Sequence, residues 1–373
     1  MSKSEFLRVQ SDCFVGRRGR LDRYLICATQ GYFPVLARTG AIGLAAIFRT
    51  GGTHMGANAT VAVATSRDSG KSWSDPVEIT PRWEDARNPA FGVNAKGDLI
   101  AAYWKAGLDC YVDTENGPQW SNAPVIGKKP TMFVRRSADQ GHTWSREWSY
   151  KSTLLALPSP YGRIITAPDG RLFMGVYGTP RRKSKNYRDV TILLRSKDGG
   201  RTWGDETLTA VKHNETSYLF LPDGRLMAAA RSESGHVATL FSDDGGRRWS
   251  QPVQVTRDGE HPADLTLLAS GAVQLTFGRR IRPMGCGVLL SRDGGRTWDK
   301  DHEVLLAGDG QYNGDLGYPS TVQLHDGTIV TALYYANGSE ASSDFSGWGD
   351  ISCQAIRYQE RDISAGPACC TCG

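Results

Sequence analysis

The chain has 373 residues, with 44 Lys and Arg against 39 Asp and Glu, and a formal net charge of +5. This mild excess contains no dense basic run, so we expect no nucleic-acid partner, and no apolar stretch is long enough to predict a membrane span. Met1 to Leu7 lacks the apolar core of a signal peptide, which favours a cytoplasmic protein, or a secreted one whose leader is absent from this sequence. Composition leaves the oligomeric state open.

An eight-residue pattern, Ser-x-Asp-x-Gly-x-x-Trp, occurs five times along the chain. The copies begin at Ser66, Ser137, Ser196, Ser242 and Ser291. The Asp can accept backbone N–H groups of its own turn, and the Gly can adopt the positive φ that closes it. Five copies in one chain define a repeat protein. We expect the Trp of every copy to be buried on an outer hairpin.

A second periodicity gives the number of repeats. Pairs of apolar runs of strand length flank a Gly-containing turn, which is a hairpin signal. The turns lie at Thr39-Gly40, Lys96-Gly97, Asp169-Gly170, Asp223-Gly224, Ser270-Gly271 and Asp326-Gly327. Six turns predict an all-β fold, a single six-bladed β-propeller of four-stranded antiparallel blades over residues 1–363, with residues 364–373 as a disordered tail. The sixth blade lacks the eight-residue pattern, and we expect Tyr24 to Ala28 to supply its last strand.

The number of residues that separates a position from its turn predicts which residues surround the propeller axis. The positions nine residues before each turn glycine are Gly31, Asn88, Tyr161, Glu215, Pro262 and Tyr318. A purely structural position would hold similar residues in every repeat. Dissimilar polar groups at equivalent positions therefore indicate a functional site on the face opposite the turns.

The repeated pattern resembles the Asp box, or BNR repeat, of the sialidase superfamily. The resemblance implies that each box joins the two outer strands of a blade, far from the active site. It also implies a Glu and a Tyr at the starts of two inner strands, which Glu215 and Tyr318 match. In that family the Glu activates the phenol, which attacks the anomeric carbon of a sugar that carries a carboxylate. Tyr318 is then the nucleophile and Glu215 its base.

The rest of the family's site is matched only in part. Tyr32 stands where the first of three carboxylate-binding arginines is expected, and His236 stands at the second, with Arg231 nearby. Arg280 or Arg282 fits the third. The family's acid, an Asp, is absent from the upper loop of the first blade, where His54 is the obvious proton donor. The remaining candidate contacts on this face are Arg49, Asn88, Tyr161, His261 and Asp264.

The resemblance and the departures predict an exo-glycosidase that acts on a terminal acidic sugar and works poorly on ordinary sialosides. No metal-binding motif is evident, and we expect neither a metal nor another cofactor. Two alternatives remain at this stage. A uronate-specific polysaccharide lyase needs a His or Tyr base beside an Arg, and this face offers both. A glycan-binding propeller without catalysis is the other, because a fold does not fix a function.

Overall fold

The structure is a computed structural model that describes residues 9–14, 18–28, 30–52, 54, 59–107, 111–114, 117–120, 131–182, 185–310, 315–336 and 351–364. The regular structure of these ranges is β-strand, apart from a 3-10 turn at Lys300–His302 and one short helix, α1 (Glu360–Ile363). The prediction of an all-β fold is confirmed. No helix of the described residues is long and apolar enough to cross a membrane. The predicted tail lies outside the described residues, except for Ser364.

Three sheets consist of four antiparallel strands each, in chain order from the inner to the outer edge. The first contains β3 (Tyr32–Arg38), β4 (Leu44–Thr50), β5 (Thr60–Ser66) and β6 (Val77–Glu78). The second contains β17 (His213–Phe220), β18 (Leu226–Ser232), β19 (Val237–Ser242) and β20 (Val253–Gln254). The third contains β21 (Glu260–Leu267), β22 (Val273–Arg279), β23 (Gly285–Ser291) and β24 (Val304–Ala307).

Two further runs of four antiparallel strands share one eight-stranded sheet. One run is β7 (Asp85–Val93), β8 (Leu99–Ala106), β11 (Thr131–Ser137) and β12 (Trp148–Tyr150). The other is β13 (Ser159–Thr166), β14 (Leu172–Gly178), β15 (Val190–Ser196) and β16 (Gly204–Val211). A short parallel ladder, with Gly162 opposite Ala90 and Arg163 opposite Phe91, joins the two runs. A separate hairpin, β9 (Tyr111–Thr114) and β10 (Gly117–Trp120), lies between β8 and β11 in the chain.

The last sheet combines the two ends of the described chain. It contains β25 (Gly317–Gln323), β26 (Ile329–Ala336) and β27 (Ile351–Tyr358), followed by β2 (Arg18–Cys27) and β1 (Val9–Phe14). In the ladder between β2 and β27, Cys27 lies opposite Cys353. The prediction that the N-terminal segment supplies a strand to this sheet is confirmed, and the strand is longer than expected.

The first strands of the sheets form a closed ring. Contacts run from β3 to β7, β13, β17, β21 and β25 in turn, and β25 contacts β3 again. Apolar clusters fill the spaces between neighbouring sheets; Phe48 of β4, for example, packs in one cluster with Val330 of β26. The arrangement is propeller-like, and burial between the sheets is the main favourable contribution to its stability.

All five eight-residue repeats join the third and fourth strands of a sheet. In the first copy, Ser66 Oγ accepts the amide of Gly70 at 2.9 Å and donates to Asp68 at 2.8 Å, so the side chains close the turn. The prediction that every repeat Trp is buried is wrong for four of them. Trp203 is 7% exposed, whereas the other four are half-buried. In two copies the indole N–H donates to the carbonyl of the repeat Gly, which keeps the ring on its turn.

The first strands carry a β-bulge near the end that faces away from the glycine turn. In five of them two residues oppose one, and these pairs are Phe33-Pro34, Asn88-Pro89, Asn214-Glu215, His261-Pro262 and Tyr318-Pro319. Counting nine residues back from the turn glycine therefore gives a bulge residue in four of these strands, namely Asn88, Glu215, Pro262 and Tyr318. In the first sheet it gives Gly31 instead of Phe33, because Gly40 lies two positions earlier in its turn than Gly97 does: the two turns close from Thr39 N–H to the Gly43 carbonyl and from Asn94 N–H to the Asp98 carbonyl.

Candidate active site

Tyr318 and Glu215 lie in direct contact, although 103 positions separate them in the chain. The Tyr318 hydroxyl donates to Glu215 Oε1 at 2.6 Å. Both residues sit in first-strand bulges, where the extra residue turns the side chain out of the normal strand alternation. Tyr318 has a φ of +49°, a conformation that a bulky residue adopts only when its surroundings enforce it.

The surroundings keep the Tyr318 phenol neutral. Its side chain is buried among the rings of Phe33, Tyr161 and Tyr334 at centroid distances of 4.9, 6.1 and 5.5 Å. Burial raises the pKa of Tyr318 well above its ordinary value, and the negative charge of Glu215 raises it further. A phenol of this kind does not ionise on its own near neutral pH. It needs a base to remove its proton during a reaction, and Glu215 is in position to do so.

Two guanidinium groups complete this part of the site. Arg231 on β18 donates to Glu215 Oε2 at 2.7 Å and lies 3.5 Å from the Tyr318 hydroxyl. Although burial opposes its charge, the Glu215 carboxylate raises the pKa of Arg231. Arg280 follows β22, and its guanidinium carbon lies 5.7 Å from the Tyr318 ring centre. The buried Nε and Nη2 of Arg280 have no hydrogen-bond partner among the described residues.

His54, the predicted proton donor, lies beside the same aromatic group. Its ring makes an edge contact with Phe33 at 4.9 Å, and Phe33 in turn contacts Tyr318. Nδ1 of His54 is 2.7 Å from Asp315 Oδ2. Asp315 is buried, and its other oxygen accepts the hydroxyl of Tyr334.

Tyr32 and Arg49 are close to this group but differ in their bonding. Tyr32 is fully buried and makes edge contacts with His54 and Tyr334 at 5.6 and 5.4 Å. Burial, together with the nearby charge of Asp315, raises the pKa of the Tyr32 phenol. Arg49 is also fully buried and pairs with Asp85, and it donates to the Ala86 carbonyl at 2.8 Å. The structure thus gives Arg49 a bridging position between β4 and β7, and we do not retain it as a substrate contact.

Asn88 of β7 and Tyr161 of β13 line one small cavity with Phe33 and Tyr318. Asn88 donates to Ser159 Oγ at 3.1 Å and to the Tyr177 hydroxyl at 2.7 Å. The hydroxyl of Tyr161 is 3.5 Å from the Ala263 carbonyl, and burial raises its pKa well above the ordinary value. Tyr161 packs against the Tyr318 ring at 6.1 Å, and the role of both residues as substrate contacts stays a prediction.

Asp264 holds the inner strands together beneath the site. Its Oδ1 accepts Ser217 Oγ at 2.8 Å and Arg163 Nε at 3.2 Å, and its Oδ2 accepts the amide of Thr321 at 2.7 Å. These partners belong to β17, β13 and β25, so one buried carboxylate joins four first strands. These bonds give Asp264 a structural role, and its role as a sugar contact stays a prediction.

The remaining predicted contacts are His236, Arg282 and His261. His236, predicted at the position of the second arginine, has its Nδ1 3.0 Å from Asp258 Oδ1, whereas Arg231 lies 3.5 Å from the Tyr318 hydroxyl. Arg282 is exposed, which leaves Arg280 as the guanidinium on the Tyr318 ring. His261 is buried, and burial together with the charges of Arg231 and Arg280 lowers its pKa to about 2.

The site also contains residues that the sequence did not single out, namely Asp315, Tyr334 and Phe33. Phe33 was missed because the count from the first turn gave Gly31. Asp315 lies just before β25 and Tyr334 lies in the middle of β26. No spacing rule connects either of them to His54, although a buried carboxylate three residues before Tyr318 is a polar feature that could have been noted.

The fold and the site together define a repeat-built, propeller-like β-protein with a carboxylate–phenol pair beside two guanidinium groups. The family described as BNR repeat-like domain matches residues 43–331. The chain therefore belongs to this family, within the sialidase superfamily, as the repeats predicted.

Two curated relatives are sialidases. The chain is 24% identical over 278 residues to one from Bacteroides fragilis (strain YCH46), covering 66% of this chain and 49% of the relative. It is 26% identical over 239 residues to one from Micromonospora viridifaciens, covering 55% of this chain and 34% of the relative. The chain thus spans half or less of the length of these relatives.

Solved structures share the fold. A protein of unknown function from Dyadobacter fermentans DSM 18053 superposes with a TM-score of 0.71 at 20% identity, covering 90% of this chain and 98% of the other. The Hadza microbial sialidase Hz136 gives 0.70 at 19% identity, with coverages of 93% and 71%. Trypanosoma rangeli sialidase in complex with sialic acid gives 0.62 at 14% identity, with coverages of 94% and 58%.

Proposed function

We propose that this protein is a retaining exo-glycosidase that releases a terminal acidic sugar, with Tyr318 as nucleophile and Glu215 as its base. The observation that carries the proposal is the 2.6 Å hydrogen bond from a buried, neutral phenol to a carboxylate that Arg231 also holds. The two sialidase relatives support a glycosidase of this kind.

The proposed reaction has two displacement steps. Tyr318 Oη attacks the anomeric carbon while Glu215 takes its proton, and the bond to the leaving oxygen breaks. Water then attacks the same carbon, and the phenol leaves as Glu215 returns the proton. A neutral nucleophile suits an anionic sugar, because it avoids repulsion between two negative charges.

The acidic character of the sugar rests on the arginines. Arg231 is already paired with Glu215, whereas the buried Nε and Nη2 of Arg280 have no partner in the described part of the chain. A buried cation without an anion is unfavourable, and a carboxylate can satisfy such a guanidinium through two parallel hydrogen bonds. Tyr32 stands where the family has another arginine. We therefore expect weaker binding of ordinary sialosides than of the preferred substrate.

We also infer that the sheets form six blades within a single domain over residues 1–363. The closed ring of six first strands supports this count. So does the shortness of the ladder in the eight-stranded sheet, because two residue pairs join its two runs of four among the described strands.

The experiment is a product analysis on a panel of aryl glycosides of nonulosonic, octulosonic and hexuronic acids. Turnover should be lost by at least about 1,000-fold in Tyr318→Phe and nearly as much in Glu215→Gln, because each removes a group from the reacting pair. Tyr218→Phe is the matched control: it also removes a buried hydroxyl, bonded to Thr209 at 2.8 Å, from the strand that carries Glu215.

Three results would contradict the proposal. Full activity of Tyr318→Phe would exclude the nucleophile. An unsaturated sugar product that absorbs in the ultraviolet would indicate a lyase. Binding of glycans without turnover, over the whole panel, would indicate a carbohydrate-binding protein.

A further inference from the structure

Asp315 binds the imidazole of His54 through one carboxylate oxygen, and Tyr334 binds the other oxygen of the same carboxylate. Nδ1 of His54 lies 2.7 Å from Asp315 Oδ2, and a carboxylate can only accept, so Nδ1 carries the hydrogen. Asp315 Oδ1 accepts the hydroxyl of Tyr334. Asp315 is 7% exposed and Tyr334 is fully buried, so neither partner has room to turn away.

With Nδ1 bound to Asp315, Nε2 is the nitrogen through which His54 would exchange a proton with a substrate. The His54 side chain is 20% exposed, in contrast to the buried groups that hold it. Burial and the charge of Asp315 raise the pKa of Tyr334 well above the ordinary value, so its hydroxyl donates as a neutral phenol. The other titratable groups nearest to His54 are Tyr32 of β3, also neutral, and Arg49, which is engaged by Asp85.

The same aromatic rings connect His54 with the reacting pair. The Phe33 ring centre is 4.9 Å from those of both His54 and Tyr318. Tyr334 packs on Tyr318 at 5.5 Å and bonds to Asp315. One layer of side chains therefore fixes the phenol and the imidazole relative to each other, as an acid that acts on the leaving group of the same sugar requires.

We propose that His54 is the general acid and base of the reaction and that Asp315 is its positioning residue, with Tyr334 fixing Asp315. This inference rests on the proposed glycosidase function. In the first step His54 Nε2–H gives its proton to the glycosidic oxygen as the carbon–oxygen bond breaks. In the second step neutral Nε2 takes a proton from the water whose oxygen attacks the anomeric carbon, and the bond from that carbon to Tyr318 breaks.

The test compares two leaving groups on one sugar. The probes are the 4-nitrophenyl and methyl glycosides of the acidic sugar released in the panel, since nitrophenolate leaves without protonation and methoxide does not. In His54→Gln and Asp315→Asn, kcat/KM for the methyl glycoside should fall by about 100-fold or more. For the nitrophenyl glycoside, kcat/KM should stay within about 5-fold of the value for the unmodified protein. This is because kcat/KM reports the first step, in which nitrophenolate leaves without protonation. Azide, which needs no base, should restore kcat on the nitrophenyl glycoside.

Asp309→Asn is the matched control. Asp309 also accepts a tyrosine hydroxyl from β26, that of Tyr335 at 2.8 Å, but its other partner is Arg23. This variant should show no dependence on the leaving group. Equal losses of Asp315→Asn on both probes would reduce Asp315 to a structural residue, and no loss on the methyl glycoside would exclude His54 as the acid.

A readout without substrate separates this inference from the proposed function. Nitrogen NMR of histidine-labelled protein should show the hydrogen of neutral His54 on Nδ1, and Asp315→Asn should shift it towards Nε2. Hydrogen on Nε2 in the unmodified protein would overturn the inference even if Tyr318 is the nucleophile. Activity retained in Tyr318→Phe would instead overturn the proposed function.

Discussion

Arg280 and Arg282 show how two arginines separated by one residue acquire different properties. Arg280 packs on the Tyr318 ring, and two of its buried nitrogen atoms find no partner among the residues that the structure describes, whereas Arg282 is exposed. The sequence alone left the choice between them open, because both fit the spacing. Burial decides between the two arginines, because only a guanidinium removed from water gains much free energy from pairing with a carboxylate.

Arg280→Met should raise KM for the acidic sugar by roughly 100-fold, because the loss of a charge-assisted pair costs about 2–3 kcal/mol. The melting temperature should not fall, since the variant removes a buried charge without a partner. Steady-state kinetics and a thermal melt on the same protein check both parts. If Arg282→Met carries the loss of affinity instead, the assignment of Arg280 is wrong.

His261 gives a prediction for the dependence of stability on pH. The pKa of His261 is about 2 in the folded protein, against an ordinary histidine value of 6.5. At a pH between these two pKa values, His261 therefore binds a proton in the unfolded chain but not in the folded protein. Stability therefore decreases as the pH falls below about 6.5, by at most about 1.4 kcal/mol per pH unit from this group. His261→Gln should lose less stability than the unmodified protein between pH 7 and pH 5 in urea titrations.

The exposed His325 supplies the comparison for that experiment. His325→Gln should leave the slope of stability against pH unchanged. Identical slopes in His261→Gln and the unmodified protein would show that His261 is protonated in the folded state.

At the scale of the strand and turn, the Ser of each repeat stabilises the turn as the Asp does, although the Asp gives the box its name. In every copy the Ser hydroxyl accepts the amide of the repeat Gly and donates to the Asp. The Ser is buried in each case, so the amide of the Gly has no access to water when the hydroxyl is removed.

Ser196→Ala should therefore destabilise the protein by about 1–2 kcal/mol, the cost of leaving a buried amide without a partner. Activity should not change, because the turn lies between β15 and β16, at the outer edge. Lys197→Ala, at the exposed neighbouring position, should be close to neutral. Equal melting temperatures for the two variants would contradict the role of the hydroxyl.

The elements differ in how far the sequence predicted them. The turns and repeats are local, so the positions of Gly97 and Ser196 specify their conformations directly. The bulges are not local: the positive φ of Tyr318 and of Phe33 is imposed by packing around the axis. The contact of His54 with Asp315 joins two distant loops, and only the folded ring brings them together.

At the scale of the whole molecule, the ring depends on one pairing between the ends of the described chain. Leu21 and Ile26 of β2 are buried in the clusters on either side of the last sheet. Without β2, the edge of β27 is open, and an open strand edge promotes association with other chains. We therefore expect β2 to protect this edge from association.

Removal of residues 1–28 should abolish the cooperative thermal transition and cause aggregation, because it removes the whole outer neighbour of β27. Size-exclusion chromatography and calorimetry check this. A chain that begins at residue 9 keeps every described strand and should melt like the unmodified protein. A soluble monomer with an unchanged melting temperature after removal of residues 1–28 would show that β2 is dispensable.

The pairing of β2 with β27 also sets the order of events during protein synthesis. A ribosome makes β2 near the beginning and β27 near the end of the described chain, at about 5–20 residues per second. The segment that forms β2 is therefore synthesised on the order of tens of seconds before β27, its pairing partner. During that time the nascent protein exposes the surfaces that the pairing later covers, and it is then that we expect it to depend most on chaperones.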